Sequence, residues 1–97
     1  MAKGYWLTIY HSVSDPAKLA QYAALATPAI EAGGGRILGR GAAVATFEHG
    51  TNQRTVVIEF ESTQQAIATY HGAAYQAAAH ILKGAAVREI RIVEGVS

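Results

Sequence analysis

The sequence predicts an α+β chain in the order β-α-β-β-α-β, a four-stranded antiparallel sheet with both helices on one face. Three observations carry this expectation. Runs rich in aromatic and β-branched residues, bounded by turn residues, occupy 4–11, 54–60 and 85–94. Apolar residues recur at helical spacing after Asp15-Pro16, and a second helix start follows at Ser62. Glycine clusters punctuate these stretches without any repeat, linker or low-complexity tract, so residues 1–97 are expected to form one domain. Right-handed crossovers then put the strands in the spatial order four, one, three, two.

The first strand, 4–11, leads to Asp15-Pro16, a helix cap followed by proline at the first helical position, where its missing N–H does no harm. Leu19, Tyr22, Ala23, Ala26 and Ile30 follow as one apolar stripe. Pro28 is expected to kink this helix or restart its last turn, with Thr27 as a second cap. Gly33-Gly34-Gly35 supplies the left-handed residue that ends it. The second strand, 36–48, is expected to bulge at Gly39 and Gly41, and the turn His49-Gly50-Thr51-Asn52 joins it to the third strand as a hairpin. Ser62 with Gln65 three residues later forms a capping box for the second helix. That helix breaks at Gly72, resumes over 73–82 and stops at Gly84, before the last strand at 85–94.

Composition bounds the function. Of the 49 apolar residues among 97, 20 are alanine, so the core is thin for a chain that buries only about two-thirds of its surface. Oligomerisation is expected. A net charge of +1 with 15% charged residues offers no basic stripe for nucleic acid or an anionic membrane. Cysteine is absent, which excludes disulfides and thiolate metal sites and fits a reducing cytoplasm. The start, Met1-Ala2-Lys3-Gly4, has no signal-peptide pattern, and no apolar run approaches the ~20 residues of a membrane helix.

Period-two alternation then divides the sheet into faces. Val56, Ile58 and Phe60, with Ile90 and Ile92, are expected to face the helices. By extension Leu7, Ile9 and Ile37 join them, leaving Trp6, Thr8, Tyr10, Arg36, Leu38, Arg40, Val57 and Glu59 on the open face. Such a face is too apolar to lie bare and too charged for an ordinary core. A second copy packed sheet to sheet is the expected cover, with a partly polar cavity between the two.

Four stretches resemble the domain of unknown function 1330 family, within the dimeric α/β-barrel superfamily. They are Lys3-Gly4-Tyr5-Trp6; 34–41, which reads Gly-Gly-Arg-Ile-Leu-Gly-Arg-Gly; Val57-Ile58-Glu59-Phe60; and Tyr75-Gln76 with Gly84-Ala85-Ala86 and Val93-Glu94-Gly95. The resemblance implies a ferredoxin-like subunit that dimerises into a barrel, and it implies no settled activity. Two departures stand out. Ala42 occupies a position where the family usually has glycine, and Gly72-Ala73-Ala74-Tyr75 replaces its usual Ser-Pro-Glu-Tyr.

Arg40 and Glu59 are the candidate catalytic pair. On neighbouring strands and one face, Arg40 would hold a carboxylate or enolate while Glu59 acts as base. The plainer alternative is a salt bridge neutralising charge in a dimer seam. Trp6, Thr8, Tyr10 and Leu38 are candidate ligand contacts on the same face, and Tyr75 joins them because it falls in a family-like stretch. Tyr22 and Tyr70 read as packing residues. His11, His49, His71 and His80 lack metal-ligand spacing, and His80 has no supporting haem motif. No cofactor or metal is expected.

The glycine run 33–41 follows a helix and precedes a strand, the reverse of a dinucleotide-binding fingerprint. RNA-recognition motifs share this element order, but Thr55 and Val57 stand where their stacking aromatics are needed. Two function classes remain. One is a small enzyme or ligand carrier for an aromatic or carboxylate metabolite, bound between the sheets of a homodimer. The other is a non-catalytic module whose open face serves assembly alone.

Overall fold

The computed structural model describes residues 2–96. The elements are β1 (Gly4–Val13), α1 (Pro16–Ala32), β2 (Arg36–Ala42), β3 (Arg54–Phe60), α2 (Thr63–His71), α3 (Ala73–Leu82) and β4 (Ala86–Glu94). The antiparallel sheet has the order β2-β3-β1-β4, as expected. The helices cover one face of it. No helix among the described residues is long and apolar enough to cross a membrane.

The helix boundaries follow local chemistry. Asp15 accepts a hydrogen bond from the Lys18 amide at 3.2 Å, and Ser62 accepts one from the Gln65 amide at 3.1 Å, each quieting an N–H that a first turn leaves unpaired. Gly34, at φ +95°, turns the chain out of α1 in a conformation that suits glycine. Gly72 is extended and splits the second helical stretch into α2 and α3. Pro28, by contrast, neither ends nor restarts α1, and Thr27 is not a second cap. Strand β2 also stops at Ala42, six residues short of the expected end, because 43–53 form a long loop carrying exposed Val44 and Phe47.

The expected face assignment fails on two strands, for separate reasons. Directly opposed residues in a ladder share a face. Gly4 pairs with Phe60, Trp6 with Ile58 and Thr8 with Val56, so the residues of β1 expected on the open face lie under the helices. Tyr5, Leu7 and Ile9 take the open face instead. The cause is volume. The helices present Ala26, Ala66 and Ala78 to the core, so large sheet residues must fill the space, and Trp6, Tyr10 and Phe60 are all at most 1% exposed.

On β2 the register slips between Ile37 and Gly39, leaving Leu38 as the extra residue of a bulge. Parity reverses beyond it. Ile37 pairs with Ile58 on the helix side, and Arg40 then pairs with Val56 on that same side. Arg40 therefore leaves the open face.

The core is aromatic. Trp6 stands edge-on to Tyr75 at 4.9 Å between ring centres and stacks with Phe60 at 6.1 Å. Its indole N–H donates to Thr8 Oγ1 at 2.8 Å, which settles a buried donor inside the layer. Gly4 permits the close approach of β1 to α2: a Cβ there would lie 2.6 Å from the Ser62 carbonyl oxygen.

Candidate functional site: an arginine held by three tyrosines

Arg88 shares parity with Ile90 and Ile92 on β4, so it points toward the helices from a strand position directly opposite Tyr10. Two helical tyrosines descend onto it. Tyr22 comes from the apolar stripe of α1, and Tyr75 from the first turn of α3, where the break at Gly72 sets its direction. Arg88 Nη1 donates to Tyr22 Oη at 3.0 Å and to Tyr10 Oη at 3.3 Å, and Nη2 donates to Tyr75 Oη at 3.0 Å. The Tyr22 and Tyr75 oxygens are 2.7 Å apart and share a hydrogen bond. The guanidinium carbon also lies 4.6 Å from the Tyr22 ring centre, within cation–π range.

Electrostatics leave this cluster cationic. Burial works against the charge of Arg88, but the surrounding tyrosine oxygens, Tyr22 foremost, hold its pKa above the ordinary arginine value. Burial pushes the Tyr75 and Tyr10 hydroxyls up as well, so both remain protonated. No carboxylate among the described residues pairs with Arg88. The cluster is equipped to hold an anionic or enolic oxygen, and none of its members is poised to abstract a proton.

Space adjoins it on both sides. A cleft of about 340 Å³ is lined by Tyr70, Arg88, Ile90 and Ile92. Beyond Arg88 a second basin of about 330 Å³ is bordered by Gln76, His80 and Lys83. The first is the more apolar, with an aliphatic floor and an aromatic wall. The second adds positive charge.

The residues singled out in the sequence separate accordingly. Trp6, Thr8, Tyr10 and Tyr75 come together under the helices rather than between two sheets, while Leu38 stands half-exposed in the bulge. Arg40 and Glu59 do not meet, because the bulge puts them on opposite faces. Glu59 instead accepts from Arg36 Nη2 at 2.6 Å and from Tyr5 Oη at 2.9 Å on the open face. The Tyr5 hydrogen bond, aided by the Arg36 charge, holds its carboxyl below the ordinary glutamate range. A second open-face carboxylate, Glu89, is held low in the same way by Arg91 and then His11. Among the described residues no cluster of potential metal ligands forms.

Arg88 and Tyr22 are the functional candidates that sequence reading passed over. The signal was present, since counting back by two from Ile92 and Ile90 reaches an arginine at an inward position.

Residues 3–96 match the profile of a domain of unknown function, DUF1330. No functionally curated protein matches the chain. Among solved structures, a protein of unknown function from Rhodopseudomonas palustris is similar at 13% identity with a TM-score of 0.73, covering 99% of this chain and 84% of that one. A dimeric ferredoxin-like protein of unknown function from Thermobifida fusca aligns at 14% identity and TM-score 0.66, covering 96% and 91%. SnoaB, a cofactor-independent oxygenase from Streptomyces nogalater, aligns at 11% identity and TM-score 0.59, covering 99% and 93%. At these identities the likeness is one of fold, which is ferredoxin-like.

Proposed function

The chain belongs to the DUF1330 family, and from that premise we propose that it binds a small, largely apolar molecule through one anionic or enolic oxygen beside Arg88. One observation carries the reading. A partly buried guanidinium with no carboxylate partner among the described residues, fixed by three tyrosine oxygens, opens onto a cleft of about 340 Å³ with an apolar floor. Small-molecule sites start near roughly 300 Å³ and combine such walls with a few fixed polar groups. The tyrosine contacts preorganise the arginine, which reduces the ordering cost that a free side chain meets on binding.

The same reading has the chain act as a homodimer through its open sheet face. Leu7 and Val57 lie opposite one another there, flanked by Val93 and Val87 at 46% and 61% exposure. That the Thermobifida relative is dimeric supports this assembly. Chemistry at the site rests on analogy of fold with the cofactor-independent oxygenase. The geometry itself supports binding and charge stabilisation.

The test is a thermal-shift and NMR screen of small aromatic and aliphatic carboxylates, with benzoate and hexanoate as first probes. Wild-type protein is expected to bind at least one in the Tyr70–Arg88 cleft. Arg88→Met is expected to abolish that binding. Tyr75→Phe removes one oxygen from the guanidinium and is expected to weaken it about tenfold or more, the value of one hydrogen bond to a charged group. Binding unchanged in Arg88→Met would refute the assignment.

A further inference from the structure

A second, smaller cavity of about 30 Å³ lies between α1 and the β1–β3–β2 half of the sheet, separate from the Arg88 cleft. Its walls are largely apolar, and its polar lining is Thr8, Tyr10, Tyr22, Thr27, Arg40 and Arg54. That polar set is rich in donors. Arg54 Nε is buried and has no hydrogen-bond partner among the described residues. Thr8 is 3% exposed, and its oxygen already accepts from Trp6, which leaves its own O–H to give. The Tyr10 oxygen likewise already accepts from Arg88.

Arg40 and Arg54 stand on one face of neighbouring strands, opposite Val56 and Ala42 respectively, so two like charges share that face. Among the described residues neither has a carboxylate partner. A buried guanidinium N–H left without an acceptor is destabilising. A cavity needs only about 10–15 Å³ to hold a water, so an occupant fits. A water would accept from both donors but would leave the like charges of Arg40 and Arg54 uncompensated.

We propose that this cavity is a site for a small monovalent anion of halide size, held by Arg54 Nε–H and the Thr8 hydroxyl with Arg40 at its outer rim. The volume admits one such ion and excludes the body of a metabolite. The ion would offset the two arginine charges and satisfy both spare donors, bridging β3 and β1 beneath α1. This site is independent of the ligand reading for Arg88 and stands or falls without it.

The experiment compares thermal unfolding in sodium chloride and sodium gluconate at matched ionic strength. Chloride is expected to give an additional, saturable rise in Tm, as a ligand bound by the folded state alone must. Arg54→Gln is expected to lose that saturable part, and Arg91→Gln, on the other sheet face, to keep it. Superimposable chloride and gluconate curves would overturn the proposal, and so would a full chloride response in Arg54→Gln. Should Arg54→Gln fail to fold, bromide-soaked crystals of wild-type protein decide the matter. An anomalous peak within hydrogen-bond distance of Arg54 Nε supports the site, and its absence from the cavity refutes it.

Discussion

At the scale of single residues, this protein sorts its charges by what lies beside them. Arg36 and Arg91 are paired with carboxylates on the open face, at 2.6 Å each. Arg88 is surrounded by phenols, and Arg40 and Arg54 have no carboxylate partner among the described residues. A net charge of +1 hides this division. The open-face carboxylates have a pH consequence. Glu59 and Glu89 hold their protons less tightly in the folded protein than ordinary glutamates do. The stability they contribute is complete above the unfolded value, near about pH 4.3, and is lost as pH falls through the lower folded value. Tyr5→Phe removes the leading cause of the Glu59 shift. NMR titration of Glu59 in Tyr5→Phe is expected to move upward toward an ordinary glutamate, while Glu89 titrates as before. What the sequence concealed at this scale was β1, where Leu7 and Ile9 read as core by hydrophobicity. Side-chain volume decided otherwise, because Ala26, Ala66 and Ala78 at core-facing helix positions leave room that Trp6 and Tyr10 fill.

Among the elements, β2 shows why a correctly anticipated irregularity still misplaced a residue. The glycines mark a bulge, but regular alternation continued through it sets Arg40 beside Glu59. The ladder skips Leu38 instead. This makes an unusual deletion prediction. Removing one residue from a regular strand sends every side chain beyond it to the wrong face. Deleting Leu38 removes only the extra residue, so Ile37 and Arg40 keep their partners Ile58 and Val56. The Leu38 deletion is therefore expected to fold with a denaturation midpoint close to wild type, whereas deleting Val57 from β3 abolishes folding. Chemical denaturation with amide exchange across β2 and β3 checks both. The helices were more legible. Asp15-Pro16, Ser62 with Gln65, and Gly72 are local signals, and each acts where the sequence places it. Pro28 is the exception among them, since α1 continues through it.

For the molecule as a whole, the sheet is a partition between two tasks. Its covered face carries Arg88, Tyr10, Arg54 and Thr8, and its open face carries Tyr5, Leu7, Ile9, Val57 and the two paired glutamates. Element order was readable because crossover handedness and local punctuation constrain it, and strand order followed. The site was not, because it joins Tyr10, Tyr22, Tyr75 and Arg88 from four elements, and no spacing along a chain encodes such a meeting. The division predicts that assembly and binding come apart. Leu7→Asp sets a carboxylate against Val57 in the middle of the open face and leaves every side chain of the Arg88 cluster in place. Arg91, directly opposite on β4, is already paired with Glu89, so burying the added charge between two sheets is costly enough to dissociate a dimer. Light scattering is expected to show a dimer for wild type and a monomer for Leu7→Asp. Because Tyr70, Arg88, Ile90 and Ile92 all come from one chain, the monomer is expected to bind carboxylates as wild type does, within about twofold. If binding vanished along with the dimer, the partner would have to complete the cleft, and the sheet would join the two tasks rather than separate them.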